Sequence, residues 1–330
     1  MHVELVVPAL FRADAPAPAL ELLLARARRA AGKPASLEDW YRGAFGLAEE
    51  PLAAGALTAL AYGKDAGAGA WLRADPVHLR ADRDRLLLIP SAGFALSADE
   101  AQQLCTALNA HFSEQFTLHA FAPDQWGLHS VAAMDLRTRP PLGIAGRDVD
   151  AELPDKRFHA LLNEIQMALY QHPVNTAREG RGVPVVNSLW PWGAGKLPDA
   201  AQGPWQSLSA EDPVALGLAR LAGLRHRSPG SGAAQWLERA PAEGRHLVVL
   251  DVLRGAAALG DHEALARRLQ VLEEHWFAPL LAALRAGRIG MLTTHVPEAG
   301  ASFETARGDL RRFWRRARPV AAYRPMEAIA

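Results

Sequence analysis

The sequence predicts an α/β protein: a mostly parallel sheet with helices on both faces, and a smaller α/β unit inserted between two parts of the core. Three observations carry that expectation. Strand-type and helix-type apolar periodicities alternate along the chain. The opening run Val3 to Leu10 reads as a buried strand and passes into a helical pattern over Ala19 to Ala30, with Leu20, Leu23, Leu24 and Ala27 on one face. Leu247 to Val252 is a continuous apolar run, which suits a central parallel strand buried on both sides. At 330 residues the chain has room for one large domain with an insertion. The expected division is 1–72 with 156–330 for the core and 73–155 for the insertion.

Each further element follows from its own signal. Leu86 to Ile89 and Phe116 to Phe121 read as strands, and Ser97-Ala98-Asp99-Glu100 between them is a capping box that opens a helix aligning Leu104, Leu108 and Phe112. Phe158, Leu162, Ile165 and Leu169 form the apolar stripe of a helix that ends as the chain nears Pro173, because the residue before proline is pushed out of the helical region. Asp261 is placed to cap a helix carrying Leu265, Leu269, Leu272 and Trp276, and Ile289 to Thr293 is the next strand. Segments 63–70, 137–147, 191–204 and 227–233 are rich in Pro and Gly and read as loops.

Composition narrows the classes of function. Hydrophobic residues make up 49% and charged residues 22%, values of an ordinary globular protein. Lys+Arg and Asp+Glu both number 36, so no global field draws in nucleic acid or an anionic membrane, and neither is expected as a partner. The single cysteine, Cys105, has no intrachain partner and sits where a small apolar residue belongs in its helix. Met1 to Phe11 carries no basic, signal-like start, and no run approaches the ~20 apolar residues of a membrane span. A cytoplasmic location is expected.

The densest motif lies between Asp155 and Pro198. After the amphipathic helix come His172-Pro173-Val174-Asn175, then Arg178, Gly182, Pro184, Asn187-Ser188 and Trp190-Pro191-Trp192-Gly193-Ala194-Gly195-Lys196. This segment resembles one in the archaeal-type cofactor-independent phosphoglycerate mutases of the alkaline-phosphatase superfamily. Asp75-Pro76-Val77-His78, followed by Leu88 to Glu100 with its Ser91-Ala92-Gly93 turn, is similar to the start of the insertion domain in those enzymes. The resemblance covers roughly Trp71 to His295. Its intact middle and altered ends also resemble the proteobacterial RpfE-type regulatory proteins. It implies an alkaline-phosphatase-like core and, for an active member, two divalent ions that polarise a phosphoryl group and activate a Ser or Thr.

The ligands such a site needs are largely missing. Where the family ends its first strand in Asp-Gly, this chain runs Val6-Val7-Pro8-Ala9-Leu10 and reaches no acid until Asp14. Where the family has Asp-x-x-x-His, this chain has Arg254 and Ala258; the closing Asp-His pair reads Thr294-His295. One imidazole cannot hold two dications, and an arginine offers them no lone pair. Thr58 or Ser91 could supply a hydroxyl but would lack an activator. No catalytic residue, no metal and no cofactor are expected.

What remains suits an anion pocket. Asn175, Arg178, Arg254 and His295 are its candidate members, the arginine at 254 standing where a metal would have been, and the ligand a phosphorylated or carboxylated small metabolite. Alternatively, Asn175 caps backbone groups, Arg178 pairs with a carboxylate such as Glu164 or Glu179, and the motif only holds a loop. Trp190 and Trp192 read as core anchors in a Pro/Gly turn. Gly193 to Lys196 lacks the full phosphate-loop pattern, and His172, His246, His262 and His275 have no metal-ligand spacing. Around Phe313 and Trp314, Arg307, Arg311, Arg312, Arg315, Arg316 and Arg318 read as a basic terminal helix with its aromatics docked on the core. The expectation is a catalytically degenerate, regulatory or metabolite-binding protein. The alternatives are a metal-dependent mutase or phosphatase drawing ligands from Asp14, Asp251 or Asp261, and a protein-interaction module with a protein partner.

Overall fold

The computed structural model describes residues 1–48, 51–67, 69–132, 134, 136–153 and 156–324. The chain forms two compact units, Met1–Ala48 with Ala200–Ala330, and Glu49–Asp199. The insertion is thus wider than the expected 73–155. Asp155, where the motif-bearing segment was placed to start, lies outside the described residues.

The first unit opens with β1 (His2–Val6), and its first helix runs Pro18–Arg26. That helix has no side-chain cap of its own. Instead the carboxylate of Glu273, more than two hundred residues away, accepts hydrogen bonds from the backbone N–H of Ala19 (2.6 Å) and Leu20 (3.1 Å). Negative charge at this position also complements the helix dipole. The helical pattern expected to reach Ala30 stops early, and Arg28–Ala31 becomes β2. Edge pairing with a later strand overrides a local preference that is weak for so few residues.

The second unit holds β3 (Ala70–Asp82), β4 (Arg85–Pro90), β5 (Thr117–Ala122), β6 (Gln125–Ser130) and β7 (Ser188–Gly195). They form an antiparallel sheet in the order β4-β3-β6-β5, with β7 also on β3. β3 is long enough to serve three partners: residues 77–82 face β4, 70–73 face β6 and 71–77 face β7. This explains the wider boundary. β7 draws the Trp190-Pro191-Trp192 run into the sheet, so the first part of the loop expected at 191–204 is strand and not turn. Proline is tolerated there because β7 pairs with β3 alone among the described strands, leaving one side free of ladder bonds. Trp190 and Trp192 are buried, as anchors should be. The helix Ala54–Ala61 lies against this sheet at close range: a Cβ on Gly55 would fall 2.4 Å from Leu72 Cα, and one on Gly193 would fall 2.6 Å from Ala54 Cβ. The glycines of the Gly193-Ala194-Gly195 run therefore serve packing.

The first unit resumes with β8 (Ser207–Ser209), β9 (Arg225–Arg227), β10 (Arg245–Val249), β11 (Met291–Val296) and β12 (Ala301–Ala306). Its seven strands are ordered β2-β12-β11-β1-β10-β8-β9. β11, β1, β10, β8 and β9 run parallel, and β12 is antiparallel to both its neighbours. Both faces are covered. Val3, Leu5, Val248 and Leu292 cluster with Leu23, Trp236, Leu269 and Leu284 from helices Pro18–Arg26, Ala233–Arg239, His262–Leu272 and Ala278–Ala286. The intervening Val6, Leu247 and Val249 are equally buried on the opposite face. The continuous apolar run was the correct signature of a central strand. The fold class is therefore as expected: a mixed α/β chain with a mostly parallel seven-stranded sheet and a separate antiparallel one.

The carboxyl-terminal arginine run differs from its expectation. Only a short 3-10 turn forms, at Arg307–Arg311, and Phe313 and Trp314 are 79% and 67% exposed instead of docked. The arginine side chains bond to carbonyl groups of the first helix's end in place of building a helix: Arg312 Nη1 donates to Arg26 O and Arg315 Nη1 to Ala27 O.

Candidate functional site

Parallel strands deliver their following turns to one edge of the sheet, and that edge is where α/β folds place chemistry. In the first unit the turns after β1, β8, β10 and β11 carry Ala9, Asp212, Asp251 with Arg254, and Glu298. Ala9 adopts a left-handed backbone (φ 62°), and its N–H donates to the Glu298 carboxylate at 3.1 Å. Helix Leu37–Ala44 adds Glu38 and Tyr41.

Arg254 is the centre of this group. Its Nη2 lies 2.7 Å from Glu38 Oε1, and the fields of Asp212 and Asp251 also act on it. Burial works against the guanidinium charge, but Glu38 and Asp212 outweigh it and hold the proton more tightly than usual. Tyr41, fully buried, donates its hydroxyl to Asp212 Oδ2 at 2.8 Å, while Asp212 Oδ1 accepts from Val214 N at 3.0 Å and so caps the next helix. Burial and the neighbouring Asp212 charge also raise the Tyr41 pKa.

Arg254 acts on more than one carboxylate, and burial outweighs it at Asp212, Asp251 and Glu298. Burial raises the Asp212 pKa despite Arg254. Asp251 is pushed up to about 6, first by burial and then by the Asp212 charge. Glu298 is also raised, chiefly by burial. These are buried carboxylates whose desolvation the neighbouring cation does not offset. Among the described residues no three or more His, Cys, Asp or Glu side chains are grouped to hold a metal ion, and the cation paired with Glu38 is the chain's own Arg254.

His295 belongs to a second group on the sheet face. Glu4, only 3% exposed, receives Arg245 Nε at 2.8 Å and Nη2 at 2.7 Å, and lies 3.2 Å from His295 Nε2. Burial alone would raise its pKa, but the His295 and Arg245 hydrogen bonds pull it down to about 2. His295 also packs against Trp40, ring centroids 5.3 Å apart.

Asn175 and Arg178 are in the other unit, on the helix Pro173–Gly180, and both are buried. Asn175 donates to Leu169 O and Val186 O and accepts from Val186 N. Arg178 donates through Nε to Pro184 O and through Nη1 to Glu100 Oε2 at 2.9 Å, with its guanidinium over the Phe94 ring. Its ion partner is therefore Glu100 and neither Glu164 nor Glu179. Glu100 also takes Arg181 Nη2 at 2.5 Å and stays the capping-box acid of its helix. Against the upward push of burial, the Ser97 N–H and these two guanidinium groups bring its pKa to about 2. Arg178 Nη2 is the one buried donor of the pair with no partner among the described residues. Each of the four candidate pocket residues thus already has an intramolecular partner.

The remaining candidates scatter. Thr58 and Ser91 belong to the Glu49–Asp199 unit, where Thr58 is buried within 3.5 Å of Arg73 Nη1 and Ser91 sits in a 3-10 turn after β4. Asp14 is exposed, and Asp261 caps its helix by accepting from Ala264 N. Of the acids considered as relocated ligands, Asp251 alone joins the Arg254 group. His246 is not a surface residue: it is fully buried, with Nδ1 2.8 Å from Ser207 Oγ. Glu38, Tyr41 and Asp212 carry no site signal in the sequence: Glu38 and Asp212 read locally as parts of a helix start, and Tyr41 as a buried position within the helix of Glu38.

No protein-family model and no curated protein sequence matches the chain. Among solved structures it is similar to the PH0037 protein from Pyrococcus horikoshii, with a TM-score of 0.54 and 14% identity over 92% of this chain and 87% of that one. At that identity the likeness shows a shared fold. A second similar structure is a cofactor-independent phosphoglycerate mutase from Thermoplasma acidophilum DSM 1728, with a TM-score of 0.41 and 16% identity over 93% and 90% of the two chains.

Proposed function

We propose that this chain is a phosphoglycerate-mutase-like scaffold of the RpfE type whose phosphoryl-transfer centre is closed by an internal cation, and that it acts by binding, in a regulatory or metabolite-sensing role, without turnover. The observation that carries the reading is Arg254, held against Glu38 and within the fields of Asp212 and Asp251 at the strand ends. A guanidinium there supplies positive charge but has no empty orbital to accept a phosphoryl oxygen and no means to acidify a bound water, which are the two services a metal gives. The motif at 172–196 supports the scaffold assignment through its resemblance, and its Asn175 and Arg178 serve the loop that carries it.

The test is elemental analysis of the purified chain after incubation with Mn²⁺, Zn²⁺ and Mg²⁺ and exhaustive dialysis. Retention of no ion is expected. About two ions per chain would overturn the proposal. In Arg254→Ala, where the carboxylates lose their cation, measurable Mn²⁺ binding is expected to appear.

A second reading is favoured by one observation. Asp251 lies in the turn after β10 at the strand ends, and burial with the Asp212 charge pushes its pKa up to about 6, into the range of a general base working near neutrality. If it serves a hydrolase, purified protein will cleave a phosphomonoester with a rate that rises through pH 6 and is lost in Asp251→Asn.

A further inference from the structure

The irregular carboxyl-terminal segment borders an open cleft of about 470 Å³ in the first unit, and its lining has a consistent chemistry. Arg29, Arg315, Arg316 and Arg318 line it together with the aromatic rings of Phe303 and Trp314, and no acidic side chain does. The aromatic floor is rigid: Phe303 packs edge-on against Phe11 at 5.8 Å and against Tyr323 at 5.8 Å, all part of or packed on the main core. The Arg29 guanidinium lies over Phe303 at 5.6 Å. The rim is fastened in turn, by Arg315 to Ala27 O at 2.7 Å and by Arg312 to both Arg26 O and Asp309.

Nearby carboxylates are already used. Glu304 pairs with Arg28 and Asp309 with Arg312. Arg29, Arg316 and Arg318 have no carboxylate ion pair among the described residues, and Trp314 stands 67% exposed beside them. A folded chain spends free energy to hold like charges together and to leave an indole in water, so the arrangement favours an occupant that relieves both. Guanidinium forks match phosphate oxygens, and a Trp face accepts a flat heteroaromatic ring. The volume falls in the range of single small-molecule sites.

We propose that this cleft is a binding site for a nucleoside di- or triphosphate, with the base stacked on Trp314 and the phosphates held by Arg29, Arg316 and Arg318. A polynucleotide is less suited, because the chain is neutral overall and the positive charge is gathered in one concavity instead of along a track. The site is independent of the Arg254 group, and its test does not depend on how that group is read.

Equilibrium dialysis of the full chain with ATP at physiological salt, paired with tryptophan fluorescence, provides the test. Saturable binding with quenching is expected. The double variant Arg316→Glu, Arg318→Glu should bind about tenfold weaker or worse, with an unchanged melting temperature because both side chains are exposed. Trp314→Phe should retain binding and lose most of the quench. Inorganic triphosphate should bind at least about tenfold weaker than ATP, because it forfeits the base stack. The proposal is overturned if millimolar ATP does not bind, if the charge reversals leave binding unchanged, or if inorganic triphosphate binds as well as ATP. It is equally overturned if a single-stranded oligonucleotide binds far more tightly than ATP, which would make the surface a nucleic-acid platform.

Discussion

Two arginines of the predicted anion pocket meet acids in opposite ratios. In the Glu49–Asp199 unit, Arg178 and Arg181 share Glu100, so cations outnumber the anion and the carboxylate pKa falls to about 2. At the strand ends of the other unit, one guanidinium, Arg254, answers Glu38, Asp212 and Asp251, and burial drives the pKa of both aspartates up, helped by the Glu38 charge at Asp212 and by the Asp212 charge at Asp251. The first arrangement is a rivet: the one carboxylate is doubly compensated and the side chains hold a loop. The second keeps carboxylates whose burial one cation does not offset, at the edge where α/β folds build sites.

The contrast can be broken most severely at the rivet. Arg178→Ala removes a buried cation from Glu100 and a donor from Pro184 O, and should cost about 3–5 kcal/mol in urea unfolding at pH 7. A loss under about 1 kcal/mol would show that Glu100 is satisfied by Arg181 and the cap alone. Because the folded pKa of Glu100 is depressed, its contribution is full above the ordinary value near 4.5 and disappears as pH falls toward 2.

Arg254→Met should destabilise by about 2–4 kcal/mol at pH 8, leaving the acids to repel one another. Lowering the pH to 5 should recover much of that, since the carboxylates then take up protons. An equal loss at both pH values would mean that Arg254 contributes packing and not charge. The reciprocal change, Asp251→Asn, should stabilise. The folded pKa of Asp251 is raised from 3.8 to about 6, so its stability contribution is full below pH 4 and is lost as pH rises through 6. The amide escapes that loss and should gain roughly 1–3 kcal/mol at pH 8, with no gain below pH 4. As a reference for an exposed pair, Arg267→Ala breaks the contact with Glu263 one helical turn away and should change stability by less than about 0.5 kcal/mol.

Much of the core was legible because its signals are local. The apolar run at Leu247 to Val252 produced β10, Ser97 and Glu100 formed the expected capping box, and Asp261 capped its helix. Signals failed where a distant partner outvoted the neighbourhood. Arg28–Ala31 left its helix to pair with β12. Pro191 looked like a turn but lies in an edge strand, and the terminal arginines found carbonyl acceptors instead of a helix. The candidate site followed the same division. Arg254 stands at a lost ligand position of the motif and His295 at a retained one, whereas Glu38, Tyr41 and Asp212 come from distant segments of the chain and carry no site signal of their own.

By itself the sequence determined the α/β class, the strands β1, β10 and β11 of the main sheet and the absence of the expected acids after β1, because hydrophobic period and residue type are properties of short segments. Tertiary structure alone decided which charges meet. Electrostatic energy depends on distance and burial, and parallel strand order brings residues 212, 251 and 254 to one edge, where a helix adds Glu38, while Arg178 is buried in a separate unit against Glu100, Phe94 and Pro184. A single guanidinium among several carboxylates is a fact of that placement, invisible in any one stretch of the chain.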